Sequence, residues 1–293
     1  MKRRQLIFRI VGWAVLIIML LVMYFPLAMI VAYSFSSAKV IGSTGRFTFQ
    51  LYIDLFQDEA LMEATKNTFI IGIASSLIAT FLGTVSAVGI YYLKRGKAVV
   101  NGMSQITVVN AEVVTAVGFY LLQLFLRDTI HLPVEEGIGW LILAHTMITV
   151  PYVILAVTPR LSQLNPNLAE AGMDLGASSV RTLFTVILPQ LVKGMVSGFA
   201  LAFTLSLDDF VVTKFNKGDV STISTYVYDG LKHSFSNSVR ALSTIIFVAV
   251  LAIMVIVNLV GSRNKDGNKK PLFGSKRKVK PATAAIDKSA EAE

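Results

Sequence analysis

IVGWAVLIIMLLVMYFPLAMIVAYSFSSA, residues 10–38, runs for 29 positions without an Asp, Glu, Lys or Arg. A helix needs about 20 mainly apolar residues to cross a hydrocarbon layer roughly 30 Å thick, and this stretch exceeds that length. It also outruns the apolar region of a cleaved signal, usually about 7–15 residues, and no small-x-small site closes it. A bilayer is the solvent that suits such a segment.

Working outward, five more segments have the same character. With Ile10–Tyr33 they are Thr68–Leu93, Gly102–Leu126, Gly137–Thr158, Gly194–Thr213 and Ala241–Gly261. The pattern predicts an all-α membrane protein with six transmembrane helices in residues 1–262. Of the 293 residues, 54% are hydrophobic and 15% charged, whereas a soluble domain carries roughly a quarter charged. There is no cysteine, which excludes a disulfide framework and a thiolate metal site.

The net charge is +9, from 27 basic and 18 acidic residues. No nucleic-acid module accompanies it, and the basic residues flank the apolar runs, where membrane topology explains them. Nineteen of the 27 fall on one side: Lys2, Arg3, Arg4 and Arg9; Lys94, Arg95 and Lys97; Arg160, Arg181 and Lys193; and nine from Arg263 to Lys288. Positive loops stay in the cytoplasm, so both termini and the connection between spans four and five are expected inside. Residues 263–293 are too polar to bury a core and are expected to form a disordered basic tail able to lie on anionic lipid.

The inner connection reads PRLSQLNPNLAEAGMDLGASSVRTLFTVILPQLVK, residues 159–193. Asn165 as cap with Pro166 at the first helical position predicts a helix start. Gly176 predicts its stop, and Ser178 or Ser179 the start of a second short helix. Pro189 is expected to interrupt the chain before span five. The outcome is a helix-turn-helix elbow on the cytoplasmic face.

Carboxylates inside the spans are the other anomaly. Each costs about 2.5–3.5 kcal/mol at a helix centre on insertion scales, so it must face protein, water or a ligand. Glu112 lies near the middle of span three. Asp208 lies fourteen residues past Gly194, about 21 Å at 1.5 Å per residue, in the outer half of span five. At 100° per residue Ser197, Thr204 and Asp208 share one face, while Asp209 turns toward Gly198, Ala202, Ser206 and Thr213. Asp208 is thus the better candidate for a polar path. The alternative is that the acids pair with Lys214, Arg240 or a partner subunit. His145, alone in an apolar span, reads as a hydrogen-bonding packing residue, and His131 and His233 fall in outer loops. No metal-ligand spacing occurs, and no GxxxxGK[S/T] loop for ATP.

Glu170-Ala171-Gly172, Asp174-Leu175-Gly176-Ala177 and Ile187-Leu188-Pro189 together resemble the EAA motif of ABC importer permeases, whose usual Ala is replaced here by Gly172. That exchange weakens a helix by about 1 kcal/mol and predicts a looser elbow. The SLDDFVV stretch at 206–212, joined to AEVV at 111–114, is similar to the permeases of spermidine/putrescine importers. Ala111 stands where that family often has Pro.

The resemblance implies the type I importer fold and a plasma (inner) membrane subunit without catalytic activity. Glu170, Ala171, Gly172, Asp174, Gly176 and Ala177 would couple to an ABC ATPase dimer. Asp208, Asp209 and Glu112 would line the path of a polyamine or another cationic or small solute, with cation–π help from Phe203, Phe210 or Tyr120. It also implies a second homologous permease and an extracellular or periplasmic polyamine-binding protein. This chain would hold no cofactor, ATP and Mg²⁺ residing on the ATPase. A proton-coupled transporter with the three acids as a relay is the rival, and it leaves the elbow unexplained.

Overall fold

In a computed structural model of the chain, residues 2–38, 42–93, 96, 102, 112–233 and 237–266 are described. Helix α1, Lys2–Ser34, is the quoted run extended to its basic start. None of its apolar window is buried, and Trp13, Leu21 and Phe25 are exposed. Just past it, an isolated bridge joins Ser36 to Phe47, and Phe35 stacks on Phe47 ahead of α2, Gln50–Gln57.

The core is three long helices: α3, Glu59–Tyr92; α5, Ile138–Ser162; and α8, Leu188–Asp208. In lipid, close packing rather than the hydrophobic effect holds helices together, so small residues mark their contacts. Val153 of α5 sits between Gly83 of α3 and Gly198 of α8. A Cβ at Gly83 would lie 2.7 Å from Val153, and one at Gly198 3.0 Å from it. Ala79, Ala87, Ala202, Val157 and Leu191 continue this seam. Helix α4, Glu112–Asp128, packs in a separate cluster, with Ala116 against Ala144 of α5 and Val212.

Four helices among the described residues are long and apolar enough to cross a membrane: Phe8–Ser34, Glu59–Tyr92, Ile138–Ser162 and Ser179–Asp208. They match expected spans one, two, four and five. The expected third span falls partly outside the described residues, with α4 as its second part. The sixth corresponds to α11, Ser238–Asp266. That helix runs on through Arg263–Asp266, four residues assigned above to the tail; residues 267–293 lie outside the described ones. Residues 1–243 form one unit and those from Thr244 a second.

Span five departs from expectation at both ends. Pro189 does not interrupt the chain: a π-turn, Leu183–Ile187, leads straight into α8, whose second residue is Pro189. At the other end α8 stops at Asp208 instead of running to Thr213. Asp209 is extended, and a new helix, α9, spans Val211–Asn216. Beyond it lies α10, Ile223–His233.

Candidate functional site: an acidic cavity and a helix-turn-helix elbow

The break in span five explains itself from Asp209. Its Oδ2 accepts from the backbone N–H of Thr213 (2.8 Å) and the Thr213 hydroxyl (2.7 Å), and its Oδ1 from Val212 N–H (3.3 Å). A carboxylate accepting the free amides of a helix start is a cap. Capping α9 ends α8 one residue earlier.

His145 completes this arrangement. Because the Thr213 hydroxyl gives its proton to Asp209, its oxygen is left to accept from His145 Nε2 at 3.0 Å. Nδ1 then accepts from the Ser206 hydroxyl at 2.7 Å, and Ser206 meets Ser75 at 3.2 Å. This pattern assigns the Nε2–H tautomer. Asp209 and His145 are both buried, with Nε2 of the histidine 3.4 Å from Oδ2 of the acid. One polar thread thereby ties α3, α8, α5 and α9, as expected of polar groups removed from water.

Asp208 does the opposite of its neighbour. It is exposed, as are Ser197 and Thr204 on its face, whereas Gly198, Ala202, Ser206 and Asp209 are buried. Asp208, Asp209 and Glu112 line one cavity of about 340 Å³ with Thr115, Thr149, Tyr152 and Phe210. Among the described residues no Lys or Arg pairs with any of the three acids. The expected candidates are engaged elsewhere: Lys214 donates to Asp229 (2.7 Å), and Arg240 reaches the Ala38 carbonyl (2.9 Å) and Asn237.

Of the expected aromatic residues, Phe210 lines the cavity and packs at a tilt of 42° against Tyr228. Phe203 packs against Gly72 and Phe69 instead, and Tyr120 is not among the lining residues. Tyr152 and Thr149 on α5 were missed. They sit in an apolar run, and only the fold brings them opposite Asp208.

The elbow forms as α6, Leu168–Asp174, and α7, Ser179–Thr182. The start falls later than Asn165 and Pro166. Asn165 Oδ1 accepts from Asn167 N–H at 3.0 Å, a local turn that competes with helix. The stop is as expected. Gly176 has φ +85°, its N–H donates to the Met173 carbonyl, and Ala177 N–H donates to Gly172, closing a Schellman motif. Ser178 caps α7 by accepting from Arg181 N–H.

Glu170, Ala171, Asp174 and Gly176 are exposed, while Gly172 and Ala177 are half-buried. Leu175 is 90% exposed, with Val180 and Phe184 also exposed. The expected looseness at Gly172 is not found. A Cβ there would lie 2.7 Å from the Thr182 methyl, so the missing atom lets the two arms meet closely.

Comparison with known proteins agrees with this architecture. Residues 79–264 match the family described as the inner membrane component of binding-protein-dependent transport systems. The putrescine transport system permease protein PotI of Escherichia coli K12 is 32% identical over 243 residues, covering 81% of this chain and 86% of its own. The spermidine/putrescine transport system permease protein PotC of Haemophilus influenzae is 34% identical over 244 residues, covering 83% and 93%. A solved chain from a bacterial ABC transporter importing the acidic polysaccharide alginate shares the fold at TM-score 0.67 and 17% identity, covering 89% of this chain and 96% of that one. In a second structure of such a transporter, TM-score 0.62, the complex includes an alginate-bound periplasmic protein. This chain belongs to the inner membrane component family of binding-protein-dependent transport systems, the multi-pass permeases of ABC importers, and among its relatives there are spermidine and putrescine permeases.

Proposed function

We propose that this chain forms one half of the pore of a polyamine importer. The observation that carries the reading is the cavity at the break of span five. Asp208 and Glu112 line it with no Lys or Arg among the described residues to neutralise them, beside Tyr152 and Phe210. A multiply charged ammonium solute gains from carboxylates and aromatic faces together, the latter by about 0.5–2 kcal/mol each. The names of the relatives support the same choice of solute. Asp209 serves the path indirectly, by capping α9 so that Asp208 faces the cavity.

The elbow is the contact for a separate ABC ATPase dimer, with Glu170, Ala171, Gly172, Asp174, Gly176 and Ala177 at its surface. An apolar Leu175 in water is what a partner's groove would cover. ATP and Mg²⁺ belong to that dimer, and hydrolysis occurs there. A second homologous permease closes the pore, and an extracellular or periplasmic binding protein delivers the polyamine. Both termini and the elbow lie in the cytoplasm, with residues 1–262 as the permease and 263–293 as a basic tail.

Competition in whole cells tests the solute. Uptake of radiolabelled spermidine or putrescine should be competed by other polyamines and left unchanged by neutral sugars. Competition by the sugars alone would overturn the assignment.

A further inference from the structure

Thr182 is buried to 1% exposure, yet its hydroxyl finds no hydrogen-bond partner among the described residues. A buried hydroxyl without a partner is unfavourable, so something else about the side chain holds it in place. Its other branch supplies the reason. The built Cβ at Gly172 would meet Thr182 Cγ2 at 2.7 Å, Oγ1 at 3.0 Å and Cβ at 3.4 Å. The two branches of Thr182 straddle the bare Cα of Gly172, one arm of the elbow seated on the other.

We propose that Thr182 is a positioning residue that fixes the angle between the two arms of the elbow, and so the pose in which the elbow meets its ATPase. This rests on the reading of the elbow as the ATPase contact. The steric logic is strict. Threonine fills two of its three staggered positions at Cβ, so rotation about χ1 always leaves one heavy atom facing Gly172. Alanine at 172 therefore cannot be accommodated by turning Thr182. Serine at 182 has a single heavy branch and can turn it away, and valine fills the same two positions as threonine without the unpaired hydroxyl.

The test uses the complete complex with its ATPase and binding protein in proteoliposomes, reading spermidine-stimulated ATP hydrolysis and the amount of intact complex. Gly172→Ala should lower stimulation about tenfold, in the range of overpacking penalties. Adding Thr182→Ser should restore it, and Thr182→Val alone should behave as the parent chain. If Gly172→Ala instead depletes the complex, Thr182→Ser should restore its amount. A silent Gly172→Ala, a double variant no better than the single, or an impaired Thr182→Val would each overturn the proposal. Glu170→Lys separates the two levels: stimulation that survives it refutes the elbow reading itself, while its loss beside a silent Gly172→Ala refutes only the interlock.

Discussion

The acidic cavity and the elbow break opposite rules. At the cavity a carboxylate, Asp209, is buried at the end of a helix long and apolar enough to cross a membrane; at the elbow a leucine, Leu175, stands 90% in the open. The first anomaly is resolved within the chain, since Asp209 caps α9 and is threaded through Thr213 and His145 to Ser206. The second has no resolution within the described residues. An anomaly satisfied from inside is architecture, and one left open points outward to a partner. The same distinction separates Asp209 from Asp208 one residue away.

The strongest way to break this comparison is to remove the architectural acid. Asp209→Ala strands two backbone amides, the Thr213 hydroxyl and His145, and should cost about 2–4 kcal/mol. The yield of detergent-extracted complex should collapse; normal yield would make the thread dispensable. Glu170→Lys comes next, with uptake abolished while the amount of permease in the membrane holds, read by uptake and by co-purification of the ATPase. Leu175→Ser should be smaller, weakening ATPase association by about 1–2 kcal/mol because the lost burial belongs to the interface alone. Unchanged association would remove Leu175 from the contact. Smallest is a cysteine at Gly42, which should leave uptake intact and react with an impermeant reagent from outside, whereas one at Gly267 should not. The reverse labelling would invert the topology.

What the sequence reveals of the two regions differs for a physical reason. The elbow is written in short-range signals: Gly176 for a left-handed stop and Ser178 for a cap act within a few residues. Even there Asn165 misleads, because its side chain can serve a turn as readily as a helix. The division of span five into a small-residue face and an Asp208 face is also legible, following from helical periodicity alone. The break at Asp209 is not: its capping partners Val212 and Thr213 lie within four residues, but the apolar pattern runs on through them with no Gly or Pro to mark a stop. Tyr152 and Phe203 show the same limit. Periodicity cannot say which aromatic meets the cavity and which packs on Gly72.

If Asp208 serves a cation while Asp209 serves the fold, substitutions at these adjacent positions will separate the two. Radiolabelled spermidine uptake and the amount of intact complex should be measured together for Asp208→Asn and Asp209→Asn, with Glu112→Gln alongside. Asp208→Asn should assemble normally and lose most of its uptake, as should Glu112→Gln, whereas Asp209→Asn should lose complex and uptake in proportion. Full uptake by an assembled Asp208→Asn, or loss of its complex, would contradict the account.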